Sequence, residues 1–88
     1  MPQWFVYLLR CRDGSLYCGI TTDVKRRVSE HNSGKGARYI VPARRPVKCV
    51  WKQKAEDHSA ALKLEYRIKQ WKPEAKEALV RKRTKVQL

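Results

Sequence analysis

The sequence predicts an α+β fold: a three-stranded antiparallel sheet flanked by helices, in the order β-β-α-β-α-α. Three observations lead there. Trp4 to Arg12 and Leu16 to Thr22 are rich in aromatic and branched residues, and Arg12-Asp13-Gly14-Ser15 between them is a strong hairpin signal. Val47 to Lys54 alternates Val47, Cys49 and Trp51 against Lys48, Val50 and Lys52, the period of a half-buried strand. The remaining ordered stretches carry helical spacing, and three short strands need helices packed on them to bury an apolar face.

The helices follow in order. Thr21-Thr22-Asp23 offers N-cap side chains for a first helix running to about Asn32, stopped by Ser33-Gly34. Lys35 to Pro46 combines Gly36, Pro42 and Pro46 with cationic residues and reads as an exposed loop. Asp57-His58-Ser59 can cap a second helix over about Ala60 to Trp71, with His58 explained by the start of the helix and Trp71 by the core. Pro73 cannot continue that helix but can open a third, Glu74 to Lys82, burying Ala75, Ala78 and Leu79. The whole is one domain, 1–88, with a core over about 4–72 and a basic helix and tail over about 73–88.

Charge narrows the function. Twenty-one Lys and Arg against eight Asp and Glu give a formal charge of +13. A compact chain so charged calls for a polyanionic partner, because each neutralised phosphate releases condensed counterions. No segment joins a basic face to a strongly apolar one, so a membrane surface is not expected. The apolar run from Trp4 to Leu9 ends at Arg10, too short for a signal core or a spanning helix. Cys11, Cys18 and Cys49 are odd in number and lack paired spacing, which predicts free thiols in the cytoplasm and neither a disulfide framework nor a zinc site.

Four residues stand where structural economy does not ask for them: Tyr7, Tyr17, Arg27 and Glu65. Whether the tyrosines cooperate depends on the hairpin. A two-residue Asp13-Gly14 turn puts Tyr7 opposite Ile20 and Tyr17 on the other face. A three-residue turn, with Gly14 in the left-handed conformation of a bulge, puts Tyr7 across from Gly19 and Tyr17 across from Leu9, both phenols on one face. The suitability of Gly14 for a bulge favours the second, and Gly19 would then leave open space beside Tyr7 for a phosphate. Taken alone, both are ordinary strand tyrosines.

Val24, Arg27, Val28 and His31 share one face of the first helix. A guanidinium there suits a phosphate oxygen, and His31 one turn on can bond a tyrosine hydroxyl or a water. Glu65 interrupts the apolar side of the second helix, where an unpaired carboxylate must meet a cation, a metal or water. It can serve as a metal ligand, or simply pair with Lys69 four residues on.

Phe5-Val6-Tyr7, Tyr17-Cys18-Gly19, Arg27, His31 and Glu65 together resemble the GIY-YIG nuclease family, whose name comes from two tripeptides on a β-hairpin. The resemblance runs from Trp4 to about Trp71, includes the element order, and is strongest to small stand-alone bacterial members. It implies motif tyrosines at Tyr7 and Tyr17, a phosphate-binding Arg27, a His31 beside the nucleophile, a structural Gly19 and a metal ligand at Glu65, with Mg²⁺ or Mn²⁺ as cofactor. Three departures stand out: Phe5 replaces the first motif glycine, Ile20 replaces a lysine, and no asparagine follows Glu65.

The implied activity is metal-dependent endonucleolytic hydrolysis of phosphodiester bonds, with DNA ahead of RNA as substrate, a target selected by structure more than by sequence, and a place in DNA repair. Tyr17, or a Tyr17–His31 pair, would accept the proton of the attacking water. Lys25, Arg26, Lys35, Arg38, Arg44, Arg45, Lys48 and Lys52 are candidate contacts to the nucleic-acid backbone, and a protein partner could supply targeting. The alternative is a nucleic-acid-binding module that keeps the fold with little or no turnover.

Overall fold

Gly14 sets the frame of the sheet. In the computed structural model, which describes residues 2–87, it lies at φ +90°, in the left-handed region that glycine enters without penalty. The Cys11 amide donates to the Ser15 carbonyl at 2.8 Å and the Gly14 amide to the Cys11 carbonyl at 2.9 Å. The Asp13 carboxylate braces the turn by accepting from the Ser15 amide and hydroxyl at 3.0 and 2.6 Å. This is the three-residue turn, and its register follows: β1 (Trp4–Arg10) pairs with β2 (Leu16–Thr21) so that Tyr7 faces Gly19 and Leu9 faces Tyr17.

β3 (Lys48–Ala55) pairs antiparallel with the other side of β1, giving the order β2-β1-β3. Its simple alternation does not hold. Leu8 pairs with Trp51 but Leu9 with Cys49, so one extra residue, Val50, bulges from β3. A bulge exchanges the faces on either side of it. Val47 and Cys49 therefore pack with Tyr7, Leu9, Cys11 and Ile40, whereas Trp51 and Ala55 pack with Val6, Leu8 and Cys18 on the other side.

Those two clusters are the two layers of the core. α2 (His58–Lys69) and α3 (Pro73–Lys82) cover the first with Ala61, Leu64, Ile68 and Leu79. α1 (Val24–Asn32) and the segment after it cover the second. Asp23 caps α1 by accepting the Arg26 amide at 3.0 Å, and Asp57 caps α2 through the Ala60 amide at 2.8 Å. His58 is the first residue of α2 and lies over Trp4, ring centroids 4.4 Å apart.

Two expectations need correction. The segment from Lys35 to Pro46 is not simply an exposed loop: Ile40 is buried in the second cluster, and Pro42–Arg44 form a short 3₁₀ turn. Of the residues expected inside α3, only Leu79 is buried, with Ala78 half-buried and Ala75 exposed. α3 meets the sheet mainly near its C-terminal end. Midway along α3, the Arg10 guanidinium donates to both Glu77 carboxylate oxygens at 2.5 and 2.6 Å. The chain beyond α3 is tied to β3 by side chains: Trp51 Nε1 donates to the Thr84 carbonyl, and Gln53 exchanges two hydrogen bonds with the backbone of Val86.

Candidate active site

The register brings Tyr7 and Tyr17 to the α1 face of the sheet, with ring centroids 6.4 Å apart. Gly19 is what lets them fit. A Cβ there would lie 2.5 Å from the Tyr7 hydroxyl, 2.7 Å from Tyr7 Cζ and 3.1 Å from the Tyr17 ring. The expected opening beside Tyr7 is thus filled by Tyr7 itself, whose ring lies across the glycine.

α1 supplies the next two groups. His31 is fully buried, its Nε2 3.0 Å from the Tyr7 hydroxyl and its Nδ1 3.2 Å from the Ala37 amide. The Ala37 N–H can donate only to an unprotonated Nδ1, so the neutral ring carries its proton on Nε2 and donates it to Tyr7. Tyr17 meets His31 edge-on, centroids 5.3 Å apart, with no hydrogen bond between them among the described residues. The Tyr17–His31 proton relay therefore lacks its link, because both imidazole nitrogens are already engaged. Gly36 is part of this arrangement: a Cβ on it would overlap His31 Nδ1 and come within 2.8 Å of His31 Cα.

Arg27 is half-buried on the same face and pairs with Glu30 at 3.0 Å, while Arg26 reaches the same carboxylate at 3.8 Å. Glu65 comes from the opposite layer. It lies on α2, which packs beneath the sheet, yet β2 is an edge strand and a side chain of α2 can pass around it. Glu65 has 18% of its side chain exposed and pairs with Lys69 at 3.4 Å; Lys69 Nζ in turn lies 6.0 Å from the Tyr17 ring centre.

Protonation follows from these surroundings. Burial pushes the Tyr7 phenol up, with Tyr17 adding to the rise and Arg27 opposing it. Burial raises Tyr17 as well; Lys69 opposes, Glu65 reinforces, and Arg27 opposes. His31 is lowered by burial and then by Arg27, against a smaller opposing pull from Glu30. Cys18, beneath the site, is pushed up to about 12 by burial and by Glu65. At neutral pH the resting site holds two neutral phenols and a neutral imidazole beside a guanidinium.

Glu65 could supply a single carboxylate ligand to a hard divalent ion that keeps water and takes phosphate oxygens, provided Lys69, now 3.4 Å from it, gives way. Among the described residues no group of three or more His, Cys, Asp or Glu could hold a metal together.

The candidate backbone contacts do not form one patch. Lys35 and Arg38 are exposed on the segment after α1, and Arg26 is exposed on α1. Lys25, Lys48 and Lys52 line a groove along β3 instead. Arg44 is committed inward, to Asp13 at 3.0 Å and over the Tyr39 ring at 4.2 Å, and Arg45 packs against Gly34.

The sequence reading passed over Glu30, Gly36, Ala37, Tyr39 and the Lys69 contact with Tyr17. Glu30 was legible, since it stands three residues from Arg27 on one helix. Tyr39 stacks on Tyr17, centroids 5.8 Å apart at 24°, and nothing local marks it.

A hairpin bearing two tyrosines over a small α+β sheet, with an arginine and a glutamate from separate helices, defines a GIY-YIG fold. The chain matches the GIY-YIG catalytic domain over residues 3–78 and belongs to that family. Within it, the chain is similar to UPF0213 proteins. One from Desulfotalea psychrophila is 53% identical over 81 residues, covering 91% of this chain and 73% of the relative. The solution structure of the UPF0213 protein BH0048 from Bacillus halodurans superposes with a TM-score of 0.57 at 42% identity, over 89% of this chain and 82% of that one. The solution structure of EF2693 from E. faecalis gives 0.62 at 40% identity, over 93% and 86%. Family membership indicates a nuclease superfamily and a nucleic-acid substrate. Among the described residues no helix is long and apolar enough to cross a membrane.

Proposed function

We propose that this chain is a metal-dependent endonuclease acting on DNA in the cytoplasm, selecting its target by structure more than by sequence, with a place in DNA repair. What supports the reading is that Tyr7 and Tyr17 share one face of the hairpin and that Arg27 and Glu65, from α1 and α2 in opposite layers, both act on the Tyr17 phenol. Nucleic-acid binding alone gives no reason to hold a carboxylate at a basic site.

Each side chain has a task its surroundings permit. Arg27 turns from Glu30 to a non-bridging phosphate oxygen, exchanging one charge-assisted partner for another. Tyr7 receives a hydrogen bond from His31 and so has its own proton to give to a second phosphate oxygen. His31 positions Tyr7 and does not act as a base. Tyr17, once ionised, takes the proton of the attacking water, and Lys69 favours that ionised form. Glu65 would hold Mg²⁺ or Mn²⁺, which when bound supplies positive charge to the phosphate and the departing 3′ oxygen.

The test uses purified protein with Mg²⁺ or Mn²⁺ and branched, single-stranded and duplex DNA, beside RNA counterparts. Wild type should cut at least one DNA structure, while folded Glu65→Gln and Tyr17→Phe bind it and leave it intact. If wild type and both variants bind alike and share one background of nicking, the chain is a binding module that keeps the fold without turnover.

A further inference from the structure

β3 forms the edge of the sheet opposite β2, and an open groove of about 1050 Å³ runs along it. Successive β3 residues from Lys48 to Lys54 line this groove, and since neighbours in a strand point to opposite faces, one cavity meets them all only along the free edge. α1 walls one side with Val24 and Val28, and Val80 walls the other. Lys25, Lys48, Lys52, Lys54, Arg83 and Lys85 surround this apolar floor, and no acidic residue lines it among the described residues.

An edge strand offers alternating backbone donors and acceptors. The segment after α3 runs nearby but does not take them, because it is held by the Trp51 and Gln53 side chains instead. A nucleic-acid backbone presents only acceptors to such an edge, whereas a peptide strand presents both kinds. A second copy of this chain, formally +13, would be repelled by the lysines.

We propose that the free edge of β3 docks an extended acidic segment of a partner protein, added to the sheet as a fourth strand. Backbone hydrogen bonds hold the segment, its apolar residues meet the valine floor, and its carboxylates meet the cationic rim. The site is separate from the tyrosine hairpin and independent of whether that hairpin cuts DNA.

The probe is a short synthetic peptide of alternating glutamate and valine, followed through the backbone amide resonances of the whole protein. The amides of residues 48–54 should shift and gain protection from exchange, and a fully N-methylated peptide should not bind. Lys54→Glu combined with Lys85→Glu, both exposed positions, should weaken the peptide roughly tenfold. The proposal is overturned if the N-methylated peptide binds as well, or if an alternating lysine–valine peptide binds equally. It also fails if the shifts centre on Tyr17 and Arg27, or if a thymidine oligonucleotide displaces the peptide from these amides.

Discussion

Tyr7 and His31 are both buried, and the only polar link between their side chains is a 3.0 Å hydrogen bond from Nε2 to the hydroxyl. Because Nδ1 is held by the Ala37 amide, that bond has a fixed direction.

Tyr7→Phe should therefore cost more than a surface hydroxyl would. It leaves the His31 Nε2–H unpaired in a site closed to solvent, a loss of about 1–3 kcal/mol. Urea denaturation measures it, and a variant as stable as wild type would show that water reaches the imidazole.

Stability should also fall with mild acid through His31. Its folded pKa is depressed below the ordinary 6.5, so the unfolded chain takes up a proton first as the pH drops. The contribution is complete above 6.5 and is lost as the pH falls toward the folded value. The difference in unfolding free energy between wild type and His31→Gln should shrink across that interval. A constant difference would mean that His31 titrates alike in both states.

Gly19→Ala should destabilise the fold by about 1–3 kcal/mol, since the Tyr7 ring must leave its place. Tyr7→Phe in the same chain should not rescue it, because Cζ, at 2.7 Å from the added methyl, remains. Gly36→Ala should disturb the site from the other side by displacing His31. Thermal unfolding of the variants checks both, and undiminished stability in Gly19→Ala would contradict the packing of Tyr7 over it.

The cleavage rate should climb with pH. With Tyr17 raised above its ordinary value of 10.0, only a small fraction is ionised at neutrality, and that fraction grows about tenfold per pH unit. Single-turnover rates between neutral and alkaline pH test this. A plateau near neutrality would assign the proton to another acceptor.

Binding should weaken steeply with salt, each phosphate engaged contributing a log–log slope of roughly 0.7–0.9. Arg38→Ala should flatten the slope, while Arg44→Ala should change stability more than slope, because Arg44 is occupied by Asp13 and Tyr39. Fluorescence titration at several salt concentrations distinguishes them.

Element order, helix caps and the shared face of the tyrosines were legible in the sequence because each rests on a local cause. Asp23 and Asp57 cap because short carboxylates reach amides three residues ahead, and Gly14 closes the bulged turn that sets the register. The bulge at Val50 was not legible: its neighbours suit either face of a strand, and only packing against both layers selects which side each takes. The site divides in the same way. Arg27 and His31 follow from helical spacing, but Glu65 belongs to the layer on the other side of the sheet, and its charge reaches Tyr17 because β2 ends the sheet there. Local chemistry determined which residues were available; the position of a sheet edge, a property of the whole chain's packing, decided which of them could meet.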